Sequence, residues 1–353
     1  MKLLNNHVAN SVFAAIVLVL IVIVGLDVLS AIIDQLGDLG GNYRFSDALL
    51  YVMLTLPGRV YEYIPFAALV GCLIGLGTLA SQSELIIMRA AGVSTLRVIW
   101  MVMKPALVLM VAGLLLSEFV APPAEQMADR KRAIAQHGQA AISSRHGLWN
   151  REGNEYMHFN VVDSPEKLRG ITLFRFDESK RLDQFMYVHD AEYADGAWQF
   201  SNIDITYVDE NTTRKARLDT LEWQADLTPS LLSQLVVNPD NLSMSGLWSF
   251  ATYLDGQGLS AGEYRLSFWS KLLQPLGTAS LVLIAISFIF GPLREVTMGY
   301  RIFVGVIVGI AFRTSQDMLG PSSLVFGFEP IYAVALPIMI CAMVGGFLIW
   351  RGN

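Results

Sequence analysis

Apolar residues gather in six long runs, near 11–33, 49–79, 98–121, 270–290, 302–319 and 330–350, and a polar stretch separates the third from the fourth. Each run approaches the roughly 20 residues that a helix needs to cross a bilayer. The first follows a short polar start, is too long for a signal-peptide core and has no small-residue cleavage site behind it. It is therefore expected to be a retained span. The second is overlong and carries Pro57 and Pro65, which predicts a tilted or kinked helix.

From about Glu155 to Trp223 the period changes from helical to two. Ile171-Thr172-Leu173-Phe174-Arg175-Phe176 alternates, and Asp195-Gly196 marks a hairpin. Asp177-Glu178-Ser179-Lys180 and Asp209-Glu210-Asn211 read as further turns. Short strands at this spacing predict an all-β sandwich, jelly roll or open barrel. Helix is expected to return after Pro229. Ser245 is expected to start an amphipathic stretch, and Ser260-Ala261-Gly262-Glu263 reads as a capping box leading into the fourth span. The predicted fold class is an α-helical membrane protein with six transmembrane helices (3+3) and an inserted all-β, jelly-roll-like domain. Its units are 1–121, 122–265 and 266–353.

Composition agrees with a membrane protein. Of 353 residues 53% are hydrophobic and 16% charged, well below the one-quarter charged usual in soluble chains; mean hydropathy is +0.45. The net charge of −6 comes from the middle, where residues 122–265 hold 14 Lys and Arg against 21 Asp and Glu. That balance argues against a nucleic-acid partner. In the short loops the bias is different. Lys2, Arg89, Arg97, Arg294, Arg301 and Arg351 lie on one side of the six spans and only Arg44 on the other. By the positive-inside rule both termini and the 80–97 loop are expected in the cytoplasm, with 122–265 outside.

Much familiar chemistry is missing. There is no G-x-x-x-x-G-K-[ST] phosphate loop, no H-E-x-x-H and no G-x-S-x-G. The five histidines show no ligand spacing, and Cys72 and Cys341 both lie in apolar runs. No catalytic residue, metal site or cofactor is nominated. Transport, sensing or scaffolding fits better than catalysis.

Several residues stand out. Gly71 to Gly75 and Gly305 to Gly309 are G-x-x-x-G runs, expected to pack within the chain or against a partner subunit. Asp27, Arg59, Glu62, Glu118, Lys271, Arg313 and Asp317 place charge within or at the ends of spans, where it is costly in lipid. Arg313 and Asp317 are four apart and can pair on one helix face. A gating or substrate role is the sharper reading for them and for Asp27. In the link from Ser81 to Gly92, Ser81 with Glu84 reads as a capping box and Gly92 as a C-cap, giving a short helix at 81–93. Leu85, Ile86, Ile87 and Met88 are too apolar for a free loop, so membrane or another protein should cover them. After Pro122-Pro123, expected to end the third helix, comes Asp129-Arg130-Lys131-Arg132. This basic cluster is either a solvated helix face or a seat for an anionic headgroup.

With these pieces assembled, the chain resembles the LptF/LptG family of lipopolysaccharide-export permeases, and within it the LptG branch. The resemblance covers essentially the whole chain. It rests on Ser83-Glu84-Leu85 with Met88 and Gly92, on Val120-Ala121-Pro122 with Glu125-Gln126-Met127-Ala128, and on Gly147-Leu148-Trp149. Trp269-Ser270-Lys271 with Gln274-Pro275-Leu276 belongs to it too, as does Ser287-Phe288-Ile289-Phe290-Gly291-Pro292-Leu293-Arg294. The resemblance implies a non-catalytic subunit of an ABC exporter in the inner membrane. Its implied partners are LptF, an LptB ATPase dimer, LptC beside the first span, and the LptA bridge, with lipopolysaccharide as cargo. It implies that Glu84, Leu85, Met88, Arg89 and Gly92 belong to a coupling helix docking on the ATPase. It also implies that Arg132, helped by Arg130 or Lys131, meets the headgroup. The chain departs from the family at Asp129, where a basic residue is expected, and at Ile33 to Asp38, which lacks the lysines of some relatives. Rival readings are a lipoprotein-releasing or mechanotransmission permease, a membrane scaffold or stress sensor, and a membrane hydrolase. The 3+3 layout counts against the first, and the absent nucleophile motifs count against the last.

Overall fold

In the computed structural model, residues 2–40, 42–137, 148–164, 166–177, 179–194, 196–209, 212–223, 228–229, 231–232, 238–290 and 296–352 are described. Gly147, Gly291 to Arg294, Asp195 and parts of the other turns named above lie outside them.

The six spans are present and run longer than their apolar runs. They are α1 (Lys2–Gly37), α2 (Phe45–Ser81), α4 (Thr95–Leu115) continued by α5 (Ala121–His137), α7 (Gly262–Phe290), α8 (Met298–Phe326) and α9 (Pro330–Gly352). A short α3 (Glu84–Ala90) links α2 to α4, and α6 (Met244–Gly256) precedes α7. Of the most apolar stretches, 67% is buried in α2 and 61% in α7, but only 22%, 17% and 28% in α1, α8 and α9. The core is therefore built around α2 and α7, and the other three leave their apolar faces to lipid or partners.

Both G-x-x-x-G runs pack within the chain. A Cβ on Gly71 would overlap the Ile16 backbone, and one on Gly75 would come within 2.9 Å of Val12 Cα, so α1 lies backbone to backbone on α2. Gly305 and Gly309 of α8 receive the side chains of Leu73, Phe66 and Leu69 from α2. Around these contacts Val8, Val12, Ile16, Leu69, Leu73 and Leu76 form one buried cluster with α4 and α7.

Pro122-Pro123 does not end the third helix. A π-turn over Leu116–Val120, closed by the Ala121 N–H on Leu116 O, precedes it, and the helix continues to His137. Both prolines fall in the first turn of α5. There the widened turn gives their rings room, and their missing N–H groups cost little.

The polar insert holds a six-stranded antiparallel sheet, β1 (Leu148–Glu152), β2 (Glu155–Ser164), β3 (Lys167–Phe176), β4 (Leu182–Ala194), β5 (Ala197–Val208) and β6 (Thr213–Trp223), each paired with its neighbour in sequence. The strands are longer than expected, and no Greek-key crossover occurs among the described ones. The β4–β5 hairpin pairs Ala194 with Ala197, and Gly196 supplies the positive φ of +87° that its tight turn requires. The sheet curls until Trp223 on β6 donates its indole N–H to Glu155 on β2 at 3.2 Å. Inside the curve lie Phe159, Ile171, Leu173, Met186, Val188, Trp198 and Phe200. At the β3–β4 turn, the Arg181 N–H donates to Asp177 at 2.8 Å and holds that carboxyl below its usual range.

Two helix starts differ from expectation. Ser243, not Ser245, caps α6, its hydroxyl accepting from the Gly246 N–H at 3.1 Å. Helix α7 begins at Gly262, so Ser260 stands outside the first turn and forms no box with Glu263.

The glycine contact gives a direct test. Gly71→Ala places a methyl on the α1 backbone and should destabilise the chain by ~1–3 kcal/mol. Gly25→Ala, with nothing within 4 Å of its Cβ, should be neutral or slightly stabilising. Thermal unfolding of both variants in mild detergent would show whether the close approach matters.

Candidate functional site

Three groups of predicted residues can be placed. The first is the link at the end of the spans opposite the β domain. Helix α2 runs through Ser81, whose hydroxyl donates to Thr78 O at 2.8 Å. Ser81 therefore cannot cap α3, and the expected capping box does not form. Helix α3 starts instead after Ser83, which holds φ at 62° with no side-chain cap. Glu84 turns to the start of α1 and accepts from His7 Nε2 at 3.0 Å. Leu85 and Met88 point inward and join the transmembrane core. Ile86 and Ile87 face outward, 66% and 65% exposed, and Arg89 lies over the Phe290 ring. Gly92, at φ +82°, ends the helix in a full Schellman motif, with the Gly92 N–H on Arg89 O and the Val93 N–H on Met88 O, both at 3.0 Å. The link is thus a rigid, exposed apolar knob rooted in the spans. The outward pair Ile86 and Ile87 was seen in sequence only as part of an apolar run, because a seven-residue helix is too short to show its faces.

The second group is the basic cluster on α5. Arg132 is ion-paired with Asp38 at the end of α1 and lies over the Tyr51 ring at 4.9 Å. Arg130 and Lys131 are exposed. The three cations therefore do not share one face, as the 100° advance per residue requires. Nearby, Tyr43 donates to Gln35 Oε1 at 2.8 Å and holds the α1–α2 turn; burial raises its phenol above the ordinary range.

The third group is the charge within the spans. Asp27 pairs with Arg59 and accepts from the Tyr63 hydroxyl at 2.8 Å. Arg313 donates to Glu62 at 2.7 Å and to Asp317 at 3.2 Å, so the expected i, i+4 pair exists but shares its cation with α2. Lys271 Nζ donates to Asp240 O at 2.9 Å and Leu242 O at 2.7 Å. Counted along each helix from its end near α3, these residues stand some 15–25 positions up, or about 23–38 Å. They form one layer, at the height where a bilayer gives way to headgroups and water. Within it a cavity of about 970 Å³ is lined by Arg59, Lys271 and Arg313 against Glu62, Glu125, Asp129, Asp240 and Asp317. Acids outnumber bases, and each base already has a partner.

Such a chain has spans, a mounted β domain, an anchored apolar knob and no assembled reactive centre among its described residues. The profile of the family described as lipopolysaccharide export system permease LptF/LptG matches residues 6–351. The chain belongs to that LptF/LptG family. It is 36% identical to the lipopolysaccharide export system permease protein LptG of Escherichia coli (strain K12) over 354 residues, covering 99% of this chain and 98% of that protein. The protein of the same name from Haemophilus influenzae is 33% identical over 353 residues, again covering 99% and 98%. Members of the LptF/LptG family are named as permeases of a transport system, which agrees with a subunit that carries out no chemistry of its own. Six apolar helices and the LptF/LptG membership together make this a multi-pass inner-membrane protein.

The Asp27–Arg59 pair supplies the second prediction. Each side chain is less than one-quarter exposed, so removing the acid leaves a poorly solvated guanidinium. Asp27→Ala should cost about 1–3 kcal/mol. Asp27→Leu combined with Arg59→Met should recover most of that loss in thermal unfolding. Equal losses in single and double variants would mean that the pair is held by packing rather than charge.

Proposed function

We propose that this chain is one of two membrane subunits of an ABC exporter that lifts lipopolysaccharide out of the inner membrane and hands it to a periplasmic bridge. The observation that carries this reading is the match of nearly the whole chain to lipopolysaccharide-export permeases, joined to this chain's own layout of three spans, an inserted β domain and three spans. Transfer of a 14-carbon acyl chain into water costs roughly 10 kcal/mol, so extraction needs an energy source. The chain has no phosphate loop; ATP hydrolysis belongs to a separate LptB dimer.

In this reading both termini and α3 are cytoplasmic, and 122–265 is periplasmic, with the β domain between helical linkers. Six Lys or Arg in the short loops on one side against one on the other support it. The partner permease LptF and the LptC helix have the exposed faces of α1 and α8 to cover, and the β domain leads towards LptA. The ATPase meets α3 through Glu84, Arg89, Ile86 and Ile87. Leu85, Met88 and Gly92 keep that helix rigid and rooted, so that force on it reaches the spans. Arg132, released from Asp38, and the exposed Arg130 and Lys131 offer cations to the headgroup phosphates.

A cysteine at Ser201 should react with an impermeant reagent added to intact spheroplasts, and one at Ser94 should not. The reverse pattern would overturn the topology.

Reconstitution of the permease pair with ATPase in liposomes tests the function itself. Glu84→Ala and Ile86→Asp should each lower lipid-stimulated ATP turnover at least fivefold. Ser81→Ala, away from the cap it was expected to make, should change it less than twofold. Normal turnover in both α3 variants would remove α3 from the coupling path.

A further inference from the structure

The segment returning from the β domain to the fourth span is tied on both sides at the level of the ionised layer. On one side stands Glu118, in the π-turn of the third span. Its carboxylate accepts from the backbone N–H of Met244 at 2.7 Å and of Ser245 at 3.3 Å, and from the Ser245 hydroxyl at 2.7 Å. With Ser243 holding the Gly246 N–H, the first turn of α6 is closed by an acid 126 residues away in sequence. On the other side Lys271 of α7 donates to the carbonyls of Asp240 and Leu242, and the Ser267 hydroxyl donates to Asp240 Oδ1 at 2.9 Å. Asn241 closes the arrangement by donating to Asp129 of α5, also at 2.9 Å.

A local cap would need only a residue beside the helix it caps. Here the cap comes from another span, out of a turn whose extra residue resets the direction of everything beyond it. Lys271, the cation on the opposite side, satisfies carbonyls of the same short segment. Nothing in the path from ATPase to lipid described above uses either residue.

We propose that Glu118 and Lys271 are positioning residues for export: together they latch the returning linker to the third and fourth spans, so that the β domain and these two spans move as one body through the transport cycle. The proposal builds on the export reading, and its test separates the two.

Spin labels on cysteines at Ser201 of β5 and Leu276 of α7, in a chain with Cys72 and Cys341 replaced, report the distance between domain and span. In the assembled complex that distance should stay narrow with and without ATP. Glu118→Ala or Lys271→Met should broaden it and speed amide exchange at 244–246 about tenfold. Lipid released per ATP should fall at least fivefold while ATP turnover persists. Lys271→Arg should keep most of the coupling, and the double variant should be no worse than the more severe single one. A distance that is already broad, or that shifts with ATP, in the unsubstituted latch would overturn the proposal. So would faster exchange with an unchanged distance and unchanged lipid per ATP, which would make Glu118 a local cap only. A complex that holds the narrow distance yet moves no lipopolysaccharide would count against the export reading and leave the latch standing.

Discussion

A charge carried about 30 Å up an apolar helix has to be neutralised inside the protein, because lipid offers it nothing. This requirement organises the spans. Arg59 draws Asp27 and so ties α1 to α2, and Arg313 draws Glu62 and ties α8 to the same helix. Lys271 and Glu118 bring the linker against α7 and the third span. Glycines set how closely the helices approach below this layer, and the ion pairs set their rotation within it. Apolar packing alone would leave both sliding and rotation poorly specified, since lipid tails are as apolar as the helix faces.

The ionised layer also divides the molecule by role. Below it the core around α2 and α7 is continuous from the charge layer to α3, where Leu85 and Met88 are part of the same buried cluster as Val102 and Ala285. A displacement of α3 therefore cannot be absorbed by a soft joint. Above it the returning linker is held by hydrogen bonds to Glu118 and Lys271, and the curled sheet keeps a separate apolar core of its own. Close-packed cores transmit strain, so in the proposed export cycle a force on α3 would pass through the lower part, and the latched linker would set its direction above.

Features set by local pattern were legible in the sequence. The six spans, the hairpin at Gly196, the Arg313–Asp317 pair and the glycine C-terminus of α3 each depend on residues a few positions apart, and each is present. What escaped was set by distant contacts or by one-residue competition. Nothing in the sequence couples Asp27 to Arg59, Glu62 to Arg313 or Glu118 to Met244, because those separations are 32, 251 and 126 residues. Ser81 matched a capping-box spacing, but α2 runs two residues past its expected end and takes Ser81 into its own last turn. Pro122-Pro123 looked like a stop because the π-turn that accommodates it leaves no mark of its own.

The placement of Arg132 bears on how a phosphate could be held and released. All three cations lining the cavity already face acceptors, and the cavity carries more acid than base. A lipid phosphate entering it would meet net repulsion. On α5 the balance is different: Arg130 and Lys131 are exposed, and Arg132 is ion-paired with Asp38 near the end of α1, with the Asp129 carboxylate within electrostatic reach. A charge-assisted hydrogen bond is worth roughly 1.5–3 kcal/mol whether the acceptor is carboxylate or phosphate. Exchanging Asp38 for a phosphate would then be close to neutral in free energy. An unpaired arginine there would bind the headgroup more tightly and let it go more slowly, whereas a cation with a competing carboxylate has somewhere to return. In a transport path, where every site must be left as well as entered, a self-neutralised arginine is the better chemistry.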